Sequence, residues 1–170
     1  MRAVVITEHG GPEVLQVQQR PDPPVGPGDV RVAVRAAGIN FADTLARTGL
    51  YPDSPKVPCV VGYEVAGEVE SVGDGVESVK PGERVLAGTR FNGQAELVTV
   101  PENMIYKLPE QLSFEEGAAF PVNYATACER ERLLQMGQRG PGVDQPRRCA
   151  KLDQQPRALI LGAWLGQRSA

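Results

Sequence analysis

One histidine, His9, and three scattered cysteines, Cys59, Cys128 and Cys149, leave this 170-residue chain short of metal ligands. Zinc needs three or four Cys, His or carboxylate groups converging on one point, and no C-x-x-C pair or histidine cluster supplies them. The same scarcity excludes a serine-type nucleophile: there is no G-x-S-x-G, and His9 stands in a Gly-rich loop, where it is read as a surface residue. Three cysteines, odd in number and loosely spaced, suit a reducing compartment. Cys59 stands at a strand entrance and is read as packing. No apolar run approaches the roughly 20 residues that cross a bilayer. The opening Met1-Arg2-Ala3-Val4-Val5-Ile6-Thr7 enters a strand-like run with no signal-peptide pattern, so the expected location is cytoplasmic. Also missing is any G-x-G-x-x-G or A-x-x-G-x-x-G turn, so no loop here is built to cradle a pyrophosphate.

What is present is divided unevenly. Residues 1–128 carry 10 Lys/Arg against 17 Asp/Glu, whereas residues 129–170 carry 8 against 4. An acidic front followed by a basic rear suggests two regions with different jobs or different origins. The length suits one domain with an appendage. The acidic front has no electropositive face for nucleic acid, so no nucleic-acid partner is expected.

Short apolar runs with Gly/Pro punctuation fill the front. Arg2–Thr7 is rich in β-branched residues and is stopped by His9-Gly10-Gly11-Pro12. Val14–Gln19 alternates like a half-buried strand. A Pro-rich connector, Pro21 to Gly28, leads to Val30, Val32 and Val34 on one face, with Arg31 and Arg35 on the other. Val60–Val72 is the longest run. Its Val65, Gly67 and Val69 share one face, and Glu64, Glu68 and Glu70 are assigned to the opposite, wet face. Gly73-Asp74-Gly75 and Lys80-Pro81-Gly82-Glu83 are turns, and Arg84–Ala87, Ala95–Val100 and Met104–Leu108 complete the strands. This pattern predicts a small antiparallel barrel or sandwich. Helices are few: Phe41–Arg47 capped by Asn40, a turn begun by the Ser113-x-x-Glu116 capping box, and Tyr124–Met136. From Gly137 the text is Gln, Arg, Pro and Gly without period, which predicts disorder.

The remaining polar residues cluster near tight turns: Asn40, Asp43, Arg47 and Tyr51. Asn40 and Asp43, three apart, face the same way on a helix. They read either as a catalytic pair or as an N-cap with a satisfied turn carboxylate.

At these residues the sequence resembles the medium-chain dehydrogenase/reductase superfamily. The nearest part of it is the zinc-independent NADPH:quinone oxidoreductase branch, which includes the VAT-1-like members. The matching segments are Gly11-Pro12-Glu13-Val14-Leu15, Ala36 to Asp43, Arg47 to Pro52, Val57-Pro58, Gly62-Tyr63-Glu64, Val72 to Val76, Gly82-Glu83-Arg84-Val85 and Gly117 to Ala127. Each is weak alone; their order and spacing across residues 1–127 are specific. The resemblance implies a mainly β, GroES-like, partly open β-barrel with a few short helices over residues 1–127. Residues 128–170 are expected to be a truncated or divergent polar basic tail, a short helix followed by largely disordered chain, with no complete Rossmann domain.

The resemblance also implies chemistry. In zinc-dependent relatives a Cys takes the place of Asn40 and a His that of Tyr63, so no zinc is expected here. The branch passes hydride from NADPH to a quinone or an α,β-unsaturated carbonyl. Carried over by position, Asn40, Asp43 and Tyr51 are the catalytic candidates, and Asn40, Asn123 and Thr126 the cofactor-binding ones. Leu45 stands where some members carry a tyrosine, and Phe91-Asn92-Gly93-Gln94 replaces a G-G-Y segment. Three readings stay open: an oxidoreductase portion inactive as this isolated chain, a non-catalytic GroES-like binding or interaction module, and half of a split enzyme completed by a separate nucleotide-binding chain. A homo-oligomer is also compatible. With no pyrophosphate cradle in its own sequence, the purified chain is expected to bind NADPH no tighter than millimolar. A micromolar constant by titration calorimetry contradicts this.

Overall fold

The computed structural model describes residues 1–124, 126 and 127. Contacts divide the chain after Val122. The unit Met1–Val122 is built from seven strands and two short α-helices, in the order β1 (Arg2–Ile6), β2 (Leu15–Gln19), β3 (Asp29–Ala37), α1 (Phe41–Thr48), β4 (Glu64–Val72), β5 (Arg84–Gly88), β6 (Leu97–Pro101), β7 (Ile105–Lys107) and α2 (Phe114–Ala118). The expected mainly β, GroES-like, partly open barrel is borne out. The expected helix from Tyr124 to Met136 lies outside the described residues except at its first positions. The expected disordered stretch from Gly137 lies wholly outside them.

All strand pairs are antiparallel. A five-stranded sheet runs β6-β3-β4-β5-β7, and β1 and β2 form a separate ribbon. Single bridges from Ala3 to Ala95 and from Ile6 to Cys59 tie the ribbon to the rest. Pairing of β3 with β4 shifts register between Arg31 and Val32 and again between Val34 and Ala36. Such irregularities sharpen strand twist and curl a sheet on itself.

Valine dominates the interior for a physical reason: its branched Cβ favours the extended backbone and packs well on a pleated surface. Val30, Val32, Val65, Val69, Val79, Val85, Val98 and Val100 meet Ala87 and Ile105 inside the curl. The opposite face of β4 and β5 is covered at one end, where Ala66 and Leu86 pack with Leu108 and Ala118. At the other end it is wet, and cross-strand ion pairs line it: Arg31 with Glu70 at 2.7 Å and Arg35 with Glu68 at 3.0 Å.

Two strand expectations need correction. The Val14–Gln19 segment is not half-buried: β2 begins at Leu15, and Val17 is 70% exposed, because β2 is covered on neither face along most of its length. The run from Val60 becomes strand only at Glu64, and Glu64 is not on a wet face. It shares a face with Ala66, the part of the sheet that α2 and the segment before it cover. Both short helices start as expected. Ser113 Oγ accepts from the Glu116 N–H at 3.1 Å, and the Ser113 N–H donates to Glu116 Oε2 at 2.9 Å, so α2 carries a complete capping box. Among the described residues no helix is long and apolar enough to cross a membrane.

Val65, on the central strand and fully buried, is the most direct probe of this core. Truncation to alanine removes two methyl groups' worth of burial and leaves a space its neighbours only partly fill. Val65→Ala is expected to lower unfolding free energy by about 2 kcal/mol in urea titration.

Candidate functional site

The site is built where β3 hands over to α1 and where the chain enters β4. Asn40 holds an extended backbone, φ −110° and ψ 162°, and caps α1. Its N–H donates to Asp43 Oδ2 at 2.7 Å, and the Asp43 N–H donates to the Asn40 carbonyl at 3.0 Å. The Asn40 side chain turns toward that same N–H in the reciprocal manner of a capping box, but the firm bond of the N–H goes to the backbone oxygen. Gly49, left-handed at φ 78°, ends the helix. Arg47 donates to the Gly10 carbonyl, and the Gly10 N–H returns a bond to the Arg47 carbonyl, so the Gly-rich loop after β1 is pinned to α1.

Glu64 is the side chain that sequence reasoning missed. It is 1% exposed, and both of its carboxyl oxygens accept hydrogen bonds: Oε1 from Asn40 Nδ2 at 3.0 Å and Oε2 from the Val122 N–H at 2.8 Å. Its backbone carbonyl accepts from the Gly38 N–H. A Cβ on Gly38 would sit 2.4 Å from Glu64 Oε1, so residue 38 is glycine because the carboxyl group fills that space. The polar alternation of Glu64, Glu68 and Glu70 concealed this. The available signal was Ala66, an apolar residue of the same parity that marks the first half of the strand as doubly covered.

Asp43 is buried too. Oδ2 has its partner in Asn40, whereas Oδ1 has none. Read as a turn carboxylate, one of the two readings its spacing from Asn40 allows, Asp43 is bonded through one oxygen. Burial pushes the Asp43 carboxyl above the usual carboxylate range, partly offset by the backbone N–H groups of Asn40 and Gly62. Tyr63 presents a second unpartnered atom, its buried hydroxyl. Burial raises its phenol above the ordinary tyrosine value, and the neighbouring Tyr51, Asp43 and Asp53 push in the same direction. Tyr51 meets the Tyr63 ring edge-on with centroids 6.0 Å apart, and Phe91 meets it from another side at 5.6 Å.

Gly62 sets the entry to β4. It is left-handed at φ 110°, and a Cβ there would lie 2.6 Å from the Gln94 N. The Gly93 and Thr89 side of this crossing closes onto it: the Gly93 N–H and Thr89 Oγ1 both donate to the Gly62 carbonyl. The Phe91-Asn92-Gly93-Gln94 substitution is thus accommodated. Asn92 takes the left-handed turn at φ 68°, and Phe91 supplies the aromatic ring.

Residues 26–110 match the alcohol dehydrogenase GroES-like domain. The chain belongs to this family, within the medium-chain dehydrogenase/reductase superfamily. It is 41% identical over 127 residues to the mouse synaptic vesicle membrane protein VAT-1 homolog-like, covering 75% of this chain and 30% of that protein. Rat quinone oxidoreductase is 43% identical over 130 residues, covering 75% of this chain and 40% of the relative. Among solved structures, the human VAT-1 homolog-like protein superposes with a TM-score of 0.73 at 41% identity, over 75% of this chain and 41% of that one. The Escherichia coli quinone oxidoreductase complexed with NADPH gives 0.70 at 33% identity, over 81% and 41%. The chain thus spans between three and four tenths of the length of the curated relatives it matches.

Within this GroES-like domain the structure gathers Asn40, Asp43 and, through Tyr63, Tyr51. Asn123 and Thr126 are exposed residues of the unit that begins at Asn123. Cys59 packs with Ile6, Val14, Ala46 and Val61; burial raises its thiol, only partly countered by Ser54. His9 is exposed.

The half-satisfied Asp43 carries a sign that can be measured. Its folded value lies above its unfolded one, so its contribution to stability is present in acid and is lost as pH rises through and beyond about 4. Asp43→Asn, which keeps an oxygen for the Asn40 N–H, is expected to flatten this decline in stability measured by urea titration between about pH 3 and 6. An unchanged pH slope contradicts the assignment.

Proposed function

We propose that this GroES-like domain is the acceptor-binding portion of a zinc-independent, NADPH-dependent quinone or enone oxidoreductase. The observation that carries the reading is the donor set at the two positions where the family resemblance places zinc ligands in other members. Asn40 and Tyr63 stand there, an amide and a phenol, neither of which is a zinc ligand of the usual kind. Among the described residues no group of three or more His, Cys, Asp or Glu side chains comes together. Rat and E. coli relatives named as quinone oxidoreductases support the substrate class.

The residues present suit an electrophilic carbonyl. A quinone or enone already draws electron density toward oxygen, so a neutral hydrogen-bond donor stabilises the developing oxyanion without a Lewis acid. The Asn40 amide is the donor, Asp43 holds the α1 N-terminus that presents it, and the half-buried Tyr51 with Phe91 supplies flat apolar surface for a ring. NADPH, when bound, supplies the hydride. By family resemblance Asn40 is the residue of this domain that would face the nicotinamide, and Asn123 and Thr126 keep their assignment as cofactor-binding candidates.

Duroquinone, whose ring carries no free position for thiol addition, tests this reading on the purified chain. Titration followed by amide and aromatic resonances is expected to shift Asn40, Tyr51, Tyr63 and Phe91 together. Asn40→Ala is expected to weaken binding roughly tenfold, the scale of one lost hydrogen bond. Shifts confined to other surfaces, or none, overturn it.

A further inference from the structure

We infer that Glu64 is a positioning residue that locks the Asn40 carboxamide with its NH2, rather than its oxygen, available as the free donor of the site. The inference rests on the acceptor-binding reading above and adds the residue that sets the polarity of its donor.

An asparagine side chain can present either end, because oxygen and NH2 exchange places by a half-turn. Glu64 Oε1 accepts from Asn40 Nδ2 at 3.0 Å while Oε2 accepts from the Val122 N–H at 2.8 Å. In this arrangement both carboxyl oxygens accept, and the Asn40 NH2 is the end turned to Glu64. The Asn40 oxygen is then left on the side of the Asp43 N–H and the first turn of α1. Of the two Nδ2 hydrogens one is spent on Glu64, which leaves the second as the donor the site can offer.

Glu64 cannot easily drift from this role. It is 1% exposed. The absent side chain of Gly38 makes the room it occupies, since a Cβ there would collide with Oε1, Cγ and Cδ. Val122, which holds the other oxygen, is the last residue of the first unit. A burial of this depth needs donors at both oxygens, and the two it receives fix the carboxyl plane. A carboxyl group serving only to pin the end of the domain would not need the amide of a candidate site residue as its second donor.

A swap of donor and acceptor separates positioning from mere packing. In Glu64→Gln, the introduced glutamine oxygen can take the Val122 N–H, but its NH2 then faces Asn40 and forces that carboxamide to turn over. In the double variant Asn40→Asp/Glu64→Gln, the introduced glutamine NH2 donates to the introduced aspartate. Every buried bond is then restored with the polarity of the pair reversed.

The experiment follows the Asn40 side-chain amide by 15N NMR in the full chain, together with thermal unfolding and duroquinone titration. In the wild-type chain one Asn40 side-chain proton is expected to be protected from exchange and the other not. Glu64→Gln should abolish that asymmetry, speeding exchange of the protected proton about tenfold while the backbone spectrum stays folded. The double variant should recover the unfolding midpoint lost by Asn40→Asp alone, yet bind duroquinone roughly tenfold more weakly than wild type. Two equally exchanging Asn40 protons in the wild-type chain overturn the inference. So does a double variant that recovers both stability and full duroquinone binding, since Glu64 would then be a structural partner only. If duroquinone binds neither protein, the acceptor-binding reading fails, and the Asn40 exchange pattern still decides the role of Glu64.

Discussion

A carboxyl group withdrawn from water must be met by donors, and in this domain the need belongs to Glu64. Its two oxygens reach in two directions, to Asn40 at the start of α1 and to Val122 at the end of the unit, so one side chain ties together segments far apart in sequence. Local features follow from it. Residue 38 has no side chain because Glu64 occupies the space. The β3–α1 corner runs close to the first turn of β4, and the Gly38 N–H bonds the Glu64 carbonyl. Loss of a partner would strand a buried polar atom, at a cost of about 1–3 kcal/mol, so the corner and the start of the strand hold one another in place.

Around that point the barrel is a valine structure. β-Branched residues satisfy both the extended backbone and the inner surface of the curl, and the two register shifts between β3 and β4 help a flat ladder to curl. Ion pairs on the outer face, Arg31 with Glu70 and Arg35 with Glu68, are exposed and individually worth little. Each nonetheless joins an arginine of β3 to a glutamate of β4 across the central strand pair. The half of β4 that carries Glu64 and Ala66 is covered instead, and this change along a single strand makes a polar site possible inside a mainly β domain.

Much of this was legible from residue order alone. The alternation of Val30, Val32 and Val34, the glycine turns at Gly75 and Gly82, and the caps at Asn40 and Ser113 are local features, and local physics places them. Failures came where burial depends on a distant segment. Glu64 reads as solvent-facing because Glu68 and Glu70 share its parity, yet α2, some fifty residues on, covers that end of the sheet. Val17 reads as half-buried because alternation cannot reveal that no second layer lies over β2. Phe91 reads as a departure from the family pattern, and only the fold shows its ring against Tyr63. The matched segments across residues 1–127 brought the family into view, since their order carries long-range information that periodicity lacks.

The character of the site follows from what its residues can and cannot do. A metal-binding corner would need soft or basic side chains with free lone pairs. Here the corresponding positions hold an amide and a phenol, and the nearby carboxyl groups of Asp43 and Glu64 are engaged, wholly or in part, in holding the backbone of α1 and the end of the unit. On the proposed reading such a corner serves by donating hydrogen bonds rather than by gripping a cation. Donation alone suffices only for an acceptor that is electrophilic before it binds; an unactivated alcohol or a simple ketone asks for more polarisation than one amide supplies. The buried hydroxyl of Tyr63 points the same way: burial first, then Tyr51, Asp43 and Asp53, push its phenol up, which favours the neutral donor form. On the acceptor-binding reading proposed above, hydrogen-bond polarity at Asn40 and Tyr63 would narrow the substrate class from within the domain.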